Sequence, residues 1–404
     1  MKPAGASQAA LEEATSEEEA LACRLEKRFD SPVLPGNRVH TLINGDRIFP
    51  PMLQAIDNAR SEICFETFIY WSGDVAREFA SALSRAARRD VRVHVLLDWW
   101  GAQRMDDEFI EQMRNAGAKV RYFNPLRWWQ LQRMNYRTHR KILVVDRCLA
   151  FTGGVGIAEE WRGDAQASDE WHDIHYRISG PAVQRFHEAF CALWCEVLKE
   201  PLLDAATGVP EMPGEAVNDD ETVDAQVLSS SPRSGSEVIY RLFRHAIDTA
   251  TDSLQLMTAY FVPDEETISA MTSAADRGVD IAVMVPGRHN DSQVVRYSSR
   301  AAWGRLLRAG VHMYVYEPTM LHAKVTVVDS EWVIVGSANF DNRSFALNDE
   351  IVMNVVSRPF AQDHQRVFEQ DMRRCRSLDY EDWRARGIVT RCKEVLSDLA
   401  RPQL

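Results

Sequence analysis

One polar pattern occurs twice in this 404-residue chain, as His139-x-Lys141-x4-Asp146 and as His322-x-Lys324-x4-Asp329. Each copy is followed at the same distance by a turn of small residues, Gly153-Gly154-Val155-Gly156 in the first and Gly336-Ser337-Ala338-Asn339 in the second. Two imidazoles and two ammonium groups presented to one anionic centre suit phosphoryl chemistry. The lysines offset charge gained in the transition state, and the imidazoles attack phosphorus and move protons. A lone His-x-Lys is most often a polar strand edge. Buried His and Lys are costly unless paired, however, and a core has no structural use for the same costly trio twice. The repeat therefore marks His139, Lys141, Asp146, His322, Lys324 and Asp329 as a catalytic set.

The flanks indicate how these residues are carried. Ile142-Leu143-Val144-Val145 and Val325-Thr326-Val327-Val328 read as buried strands, and residues two apart on a strand share a face, which would set each His beside its Lys. A chain of this length exceeds what one core supports. Duplication accounts for the excess: Ala55-Ile56-Asp57-Asn58-Ala59 leading to Thr67 is similar to Ala246-Ile247-Asp248-Thr249-Ala250 leading to Thr258. Strands are expected over Ile63 to Tyr70, Val91 to Asp98 and Val120 to Phe123, with helices over Val75 to Arg88 and Asp106 to Ala116. In the second half the strands are Leu254 to Phe261, Val279 to Val285 and His312 to Tyr316, and the helices Glu266 to Arg277 and Ser298 to Ala309. The expected fold class is α/β, with two duplicated halves, each a mixed sheet flanked by helices, packed face to face around one shared site. The predicted boundaries are an acidic N-terminal segment at 1–37, a first half at 38–202, an acidic linker at 203–226 without Lys or Arg, and a second half at 227–404.

A net charge of −12 argues against a general nucleic-acid binder, whose affinity rests on neutralising phosphates. Charge is uneven, though. Arg121 to Lys141 contains no carboxylate, and Arg127 and Arg133 are interleaved there with Trp128 and Trp129. That composition fits a membrane-surface patch, with tryptophans at headgroup depth and arginines on anionic lipid. The seven cysteines form no metal-type spacing, and their odd number without a secretory signal indicates a reducing compartment. No apolar run is long enough to cross a bilayer, so the expected location is cytoplasmic, peripheral on the inner face of the cell membrane, with no obligatory protein partner evident.

With both motifs in view the chain resembles the phospholipase D superfamily from about His40 onward, and within it the short, peripheral bacterial cardiolipin synthases. The matching residues are Met320-Leu321-His322-Ala323-Lys324, Asp329, Gly336-Ser337-x-Asn339-x-Asp341-x-Arg343-Ser344 and Leu347-Asn348-x-Glu350. The chain departs from that pattern at Gly156, where Asn is usual, and it lacks the paired membrane helices that open many such enzymes. The resemblance implies phosphatidyl transfer through a phosphohistidine, with cardiolipin formed from two phosphatidylglycerols and glycerol released. It implies no cofactor and no metal, and it assigns His139 as nucleophile and His322 as acid and base. Close approach of the two rings favours one shared proton. Asn339, Ser337 and the backbone at Gly154 would assist the lysines. A carboxylate must hold each second ring nitrogen; Glu350 is the candidate in the second half and Asp173 in the first. Aromatics such as Trp99, Trp100, Trp128 and Trp129 would exclude water. The competing readings are a phospholipase D-type hydrolase of lipid or nucleic acid, and a lipid-binding scaffold without catalysis.

Overall fold

The computed structural model describes residues 8–125, 135–199 and 222–398, with side chains from residue 17 onward except at residues 234 and 398. A helix α1 (Gln8–Phe29) precedes the first half: β1 (Leu34–Ile43), α2 (Gly45–Asn58), β2 (Glu62–Thr67), α3 (Asp74–Arg88), β3 (Arg92–Asp98), α4 (Asp107–Asn115), β4 (Lys119–Phe123), the two-residue β5 (Arg137–Thr138), β6 (Ile142–Val145), β7 (Leu149–Gly153), β8 (Ile174–Ser179) and α5 (Ala182–Leu198). The second half comprises β9 (Val223–Ser230), α6 (Val238–Thr249), β10 (Ser253–Met257), α7 (Glu265–Asp276), β11 (Asp280–Pro286), α8 (Gln293–Arg308), β12 (His312–Tyr316), β13 (Val325–Val328), β14 (Trp332–Gly336), β15 (Asn348–Val356), α9 (Arg358–Met372), β16 (Cys375–Leu378), α10 (Tyr380–Arg384) and α11 (Ile388–Asp398).

The alternation of apolar runs and amphipathic helices produces the same unit twice. In each half three parallel strands are joined by crossover helices, as β2-β3-β4 and β10-β11-β12. The strand that follows each His-x-Lys, β6 or β13, then returns antiparallel beside the first of them. From the centre outward the strand order is β1-β8-β7-β6-β2-β3-β4 on one side and β9-β15-β14-β13-β10-β11-β12-β16 on the other. The two sequences of strands repeat position by position until β16. Antiparallel pairing of β1 with β9 joins the halves at their edges. Their faces also meet: Cys64, Val144 and Ile178 share one buried cluster with Met257, Val325, Val335 and Met353. Two further cores, one per half, lie beneath the outer helices.

Three boundaries differ from the sequence reading. Residues 223–226, assigned to the acidic linker, lie in β9, where Ala225 and Gln226 are buried between β1 and β15; residues 203–221 lie outside the described region. Leu34 to Asn37, assigned to the acidic segment, begin β1. The helix before them docks, because Leu21, Leu25 and Phe29 complete the core of the second half and Glu18 accepts a hydrogen bond from the Arg358 amide at 2.7 Å. The third difference concerns the motifs. His139 to Lys141 and His322 to Lys324 precede their strands outside the ladder, and the two histidine amides bond across to the opposite half.

Candidate active site

The crossing sets the geometry. β5 pairs in parallel with the start of β15, Arg137 opposite Asn348 and Thr138 opposite Asp349, and the His139 amide donates to the Asp349 carbonyl at 2.9 Å. One step further in that register Glu350 stands beside His139. The second half repeats the device. Leu321 bridges His172 in parallel, the His322 amide donates to the His172 carbonyl at 2.7 Å, and the next residue, Asp173, stands beside His322. Each histidine is thus partnered by the carboxylate of the opposite half. This corrects the same-half assignment of Glu350 to His322 and Asp173 to His139.

The side chains follow. His139 Nδ1 lies 2.8 Å from Glu350 Oε1, and His322 Nδ1 lies 2.7 Å from Asp173 Oδ2. Burial pushes both carboxyls up, but each facing imidazole and the lysines more than reverse this, so both are held below the usual carboxylate range. An ionised carboxylate only accepts, so each Nδ1 carries the hydrogen and each Nε2 keeps its lone pair. Lys141 Nζ donates to the His139 carbonyl at 2.7 Å. Lys324 Nζ donates to the His322 carbonyl and stands 2.9 Å from Nδ1 and 3.1 Å from Nε2 of that ring.

Burial dominates the protonation equilibria. It lowers His139 to about 4, with Glu350 opposing and Lys141 adding to the shift, and it lowers His322 to about 3, with Lys324 reinforcing and Asp173 opposing. Both rings are therefore neutral in the ligand-free site, rather than sharing one proton as the sequence suggested. Burial also brings Lys141 down to about 7 and Lys324 to about 8. The ammonium groups are destabilised until an anion arrives.

Both imidazoles and Lys141 line one cavity of about 360 Å³, together with Phe68, Trp100, Trp161, Asn339 and Arg343. Of the predicted aromatic wall, Trp100 is on the lining and Trp99 is not; Arg127, Trp128, Trp129 and Arg133 lie outside the described residues. Sequence reasoning missed Phe68, whose ring meets His139 edge-on at 5.3 Å, and Trp161, whose ring meets His322 at 5.2 Å. It also missed Arg137, Tyr260 and Asp291, which share the lining.

The two carboxylates are secured differently. Ser337 Oγ donates to Glu350. At the matching position Gly154 leaves space instead, since a Cβ there would lie 2.2 Å from Asp173 Oδ1, and Trp161 Nε1 donates to Asp173 Oδ2 at 2.8 Å. The departure at Gly156 belongs to the same arrangement. A Cβ at Gly156 would stand 2.9 Å from Ile69 Cβ and 3.1 Å from the Trp161 ring, so Ile69 and the indole together fill the space where the second half has Asn339. The missing side chain was legible in the sequence; the indole replacing it was not.

Asp146 and Asp329 lie elsewhere. Each ends its strand in a left-handed conformation, φ 51° and 50°, that Asp tolerates better than most residues. Asp146 accepts from the amides of Arg60, Ser61 and Glu62, and Asp329 from those of Thr251, Asp252 and Ser253. Neither lines the cavity. Their placement in the catalytic set is corrected: they fasten the turn before β2 and β10. Among the described residues Glu62, Cys64 and His187 approach closely enough to hold a metal, but Arg147 Nε donates to the Glu62 carboxylate at 2.8 Å.

The chain is similar to known proteins in sequence and in fold. The chain is 33% identical over 379 residues to cardiolipin synthase A of Pseudomonas fluorescens strain SBW25, covering 91% of this chain and 77% of that one. It is 30% identical over 384 residues to cardiolipin synthase 1 of Bacillus cereus, covering 94% and 75%. The fold matches the crystal structure of phosphatidylserine synthase from Haemophilus influenzae with a TM-score of 0.68 at 13% identity, over 95% of this chain and 100% of that one. Residues 52–194 and 243–372 match the family described as "Cardiolipin synthase, PLD-like domain"; the chain is a member of that family.

Proposed function

We propose that the protein is a phosphatidyltransferase that makes cardiolipin from two phosphatidylglycerols, and that its two imidazoles act on one phosphorus. The observation that carries this reading is the pair of crossed His–carboxylate contacts opening on a single cavity. His139 Nε2, neutral and held in the reactive tautomer by Glu350, attacks phosphorus, forming an N–P bond as the glycerol C–O–P bond breaks at P–O. His322 donates the proton that the leaving glycerol oxygen takes up. A second phosphatidylglycerol enters, His322 removes its hydroxyl proton, and that oxygen displaces His139 from phosphorus. Water in place of the second lipid would yield phosphatidic acid, so the aromatic wall of Phe68, Trp100 and Trp161 favours transfer by excluding it.

His322 takes up its proton from solvent once substrate binding has raised its affinity for one. In the empty site Lys324 rests against that ring and suppresses its charge. A bound phosphodiester draws the ammonium onto its oxygens and adds a negative charge, and both changes raise the imidazole pKa. Lys141, Lys324 and the Asn339 amide hold the equatorial oxygens as charge builds there. The same substrate chemistry implies an anionic bilayer as the working surface, on the inner face of the cell membrane; no described helix is long and apolar enough to span one.

The test is incubation of the purified protein with phosphatidylglycerol vesicles and mass spectrometry of the products. Cardiolipin and glycerol in equal amounts are expected. Phosphatidic acid as the main product would replace synthase by hydrolase, and unchanged lipid would overturn the reading.

A further inference from the structure

Helix α11 carries its apolar residues outward. Ile388, Val389, Val395 and Leu396 are 78%, 70%, 67% and 67% exposed, and Cys392 between them is exposed as well. At 100° per residue these five positions fall on one arc of about 120°. Arg391 and Lys393 are exposed and lie just beyond its two edges. The opposite face is the one that docks: Glu394 is buried, with Arg386 at 2.6 Å and Arg300 at 3.4 Å. The helix lies along α8, where Lys393 stands over the Tyr297 ring and Glu394 pairs with Arg300. Lys393 thus reaches the second turn of α8, near its start. There Val294 is 46% exposed, and Asp291, three residues earlier, lines the catalytic cavity. Trp100, 56% exposed, lies on the same cavity from the other half.

We infer that α11 is a membrane-docking helix whose apolar stripe enters an anionic bilayer and seats the cavity mouth on the lipid surface. The occupant follows from charge and continuity. An apolar stripe with one cation along each edge is complementary to an interface with acyl chains below and anionic headgroups beside it. The stripe also leads to the one place where a lipid anchored by its acyl chains must deliver its phosphate. This inference rests on the phosphatidyl-transfer reading for the second argument alone.

The experiment compares wild type with V389E/L396E and R391Q/K393Q in sedimentation with vesicles of phosphatidylglycerol and phosphatidylcholine, and with phosphatidylcholine alone. Turnover is measured in parallel on vesicles and on a monomeric short-chain phosphatidylglycerol. Because the substituted side chains are exposed, the fold is expected to persist, with an unchanged circular dichroism spectrum. V389E/L396E should lower partitioning at least tenfold and vesicle turnover with it, leaving monomeric turnover unchanged. R391Q/K393Q should cost about fivefold per charge on anionic vesicles only. Wild-type partitioning by both variants overturns the inference, as does a wild-type dimer that V389E/L396E splits without altering vesicle binding. Sedimentation needs no turnover, so loss of the synthase reading would show separately, as wild-type protein inert on both substrates.

Discussion

The two imidazoles occupy equivalent positions in duplicated halves, yet their surroundings differ. His139 faces a glutamate steadied by a serine hydroxyl, whereas His322 faces an aspartate steadied by an indole and has Lys324 against its ring. A shorter carboxylate needs a closer approach, which Gly154 allows, and the bulk of Trp161 needs the space left at Gly156. The halves thus share one backbone plan but have separate supporting shells. Such divergence is what a two-step transfer requires, since one ring must bond to phosphorus while the other carries protons. It also makes neither half a site by itself, because each borrows its carboxylate from the other.

The crossed pairing is the feature whose disruption should cost most. Glu350→Gln and Asp173→Asn are each expected to lower kcat by up to about 10⁴-fold, the loss that follows when a carboxylate that fixes a histidine tautomer is made neutral. Nitrogen NMR of the imidazoles distinguishes the partners: Glu350→Gln should perturb His139 and spare His322, with the converse for Asp173→Asn. Perturbation of the histidine in the same half would break the comparison.

A smaller effect is expected from pH. Lys141 at about 7 and Lys324 at about 8 are depressed bases, charged below those values and neutral above them. kcat/KM, which reports the free enzyme, should therefore fall as pH rises through 7 to 8, by about tenfold per pH unit for each lysine once its pKa is passed. The imidazoles, at about 4 and 3, are neutral throughout, so the acid limb should lie well below pH 6. Arginine stays protonated in this range, so Lys141→Arg should move the alkaline fall upward even if the plateau is lower. An unmoved fall would assign it to another group.

The smallest effect on turnover should come from the residues that look most like part of the motif. Asp146→Ala and Asp329→Ala are expected to keep kcat within about threefold while each costs about 1–2 kcal/mol of stability, read as a drop of a few degrees in melting temperature. A loss of turnover comparable to the Glu350 variant, with the melting temperature preserved, would return these aspartates to the chemistry.

The sequence makes the paired His-x-Lys residues plain, because a packed core gains nothing from carrying an expensive polar pair twice. The parallel strands and crossover helices are equally plain from periodicity, down to β12 at its predicted limits. The carboxylate partners are legible too, but not the halves they serve. Local spacing suggests a neighbour in the same repeat, whereas the pairing is made by β5 on β15, between residues more than 200 apart in the chain. Asp146 is separable from the site by distance alone. Five residues beyond Lys141 along a strand, at about 3.3 Å each, put it roughly 16 Å from the ammonium. Trp161 gives no signal of its own; only the small residues at 154 and 156 indicate that something large approaches.

The central claim is that His139 and His322 serve one phosphorus in distinct roles, and covalent trapping tests it most directly. His322→Asn, mixed rapidly with labelled phosphatidylglycerol and quenched under alkaline conditions that preserve N–P bonds, should carry the phosphatidyl group on His139; slow departure without a protonated His322 limits its amount, and a substrate with a better leaving group should restore it. His139→Asn should carry none under either condition. Label on His322 in His139→Asn, or turnover retained by both variants, would contradict the account.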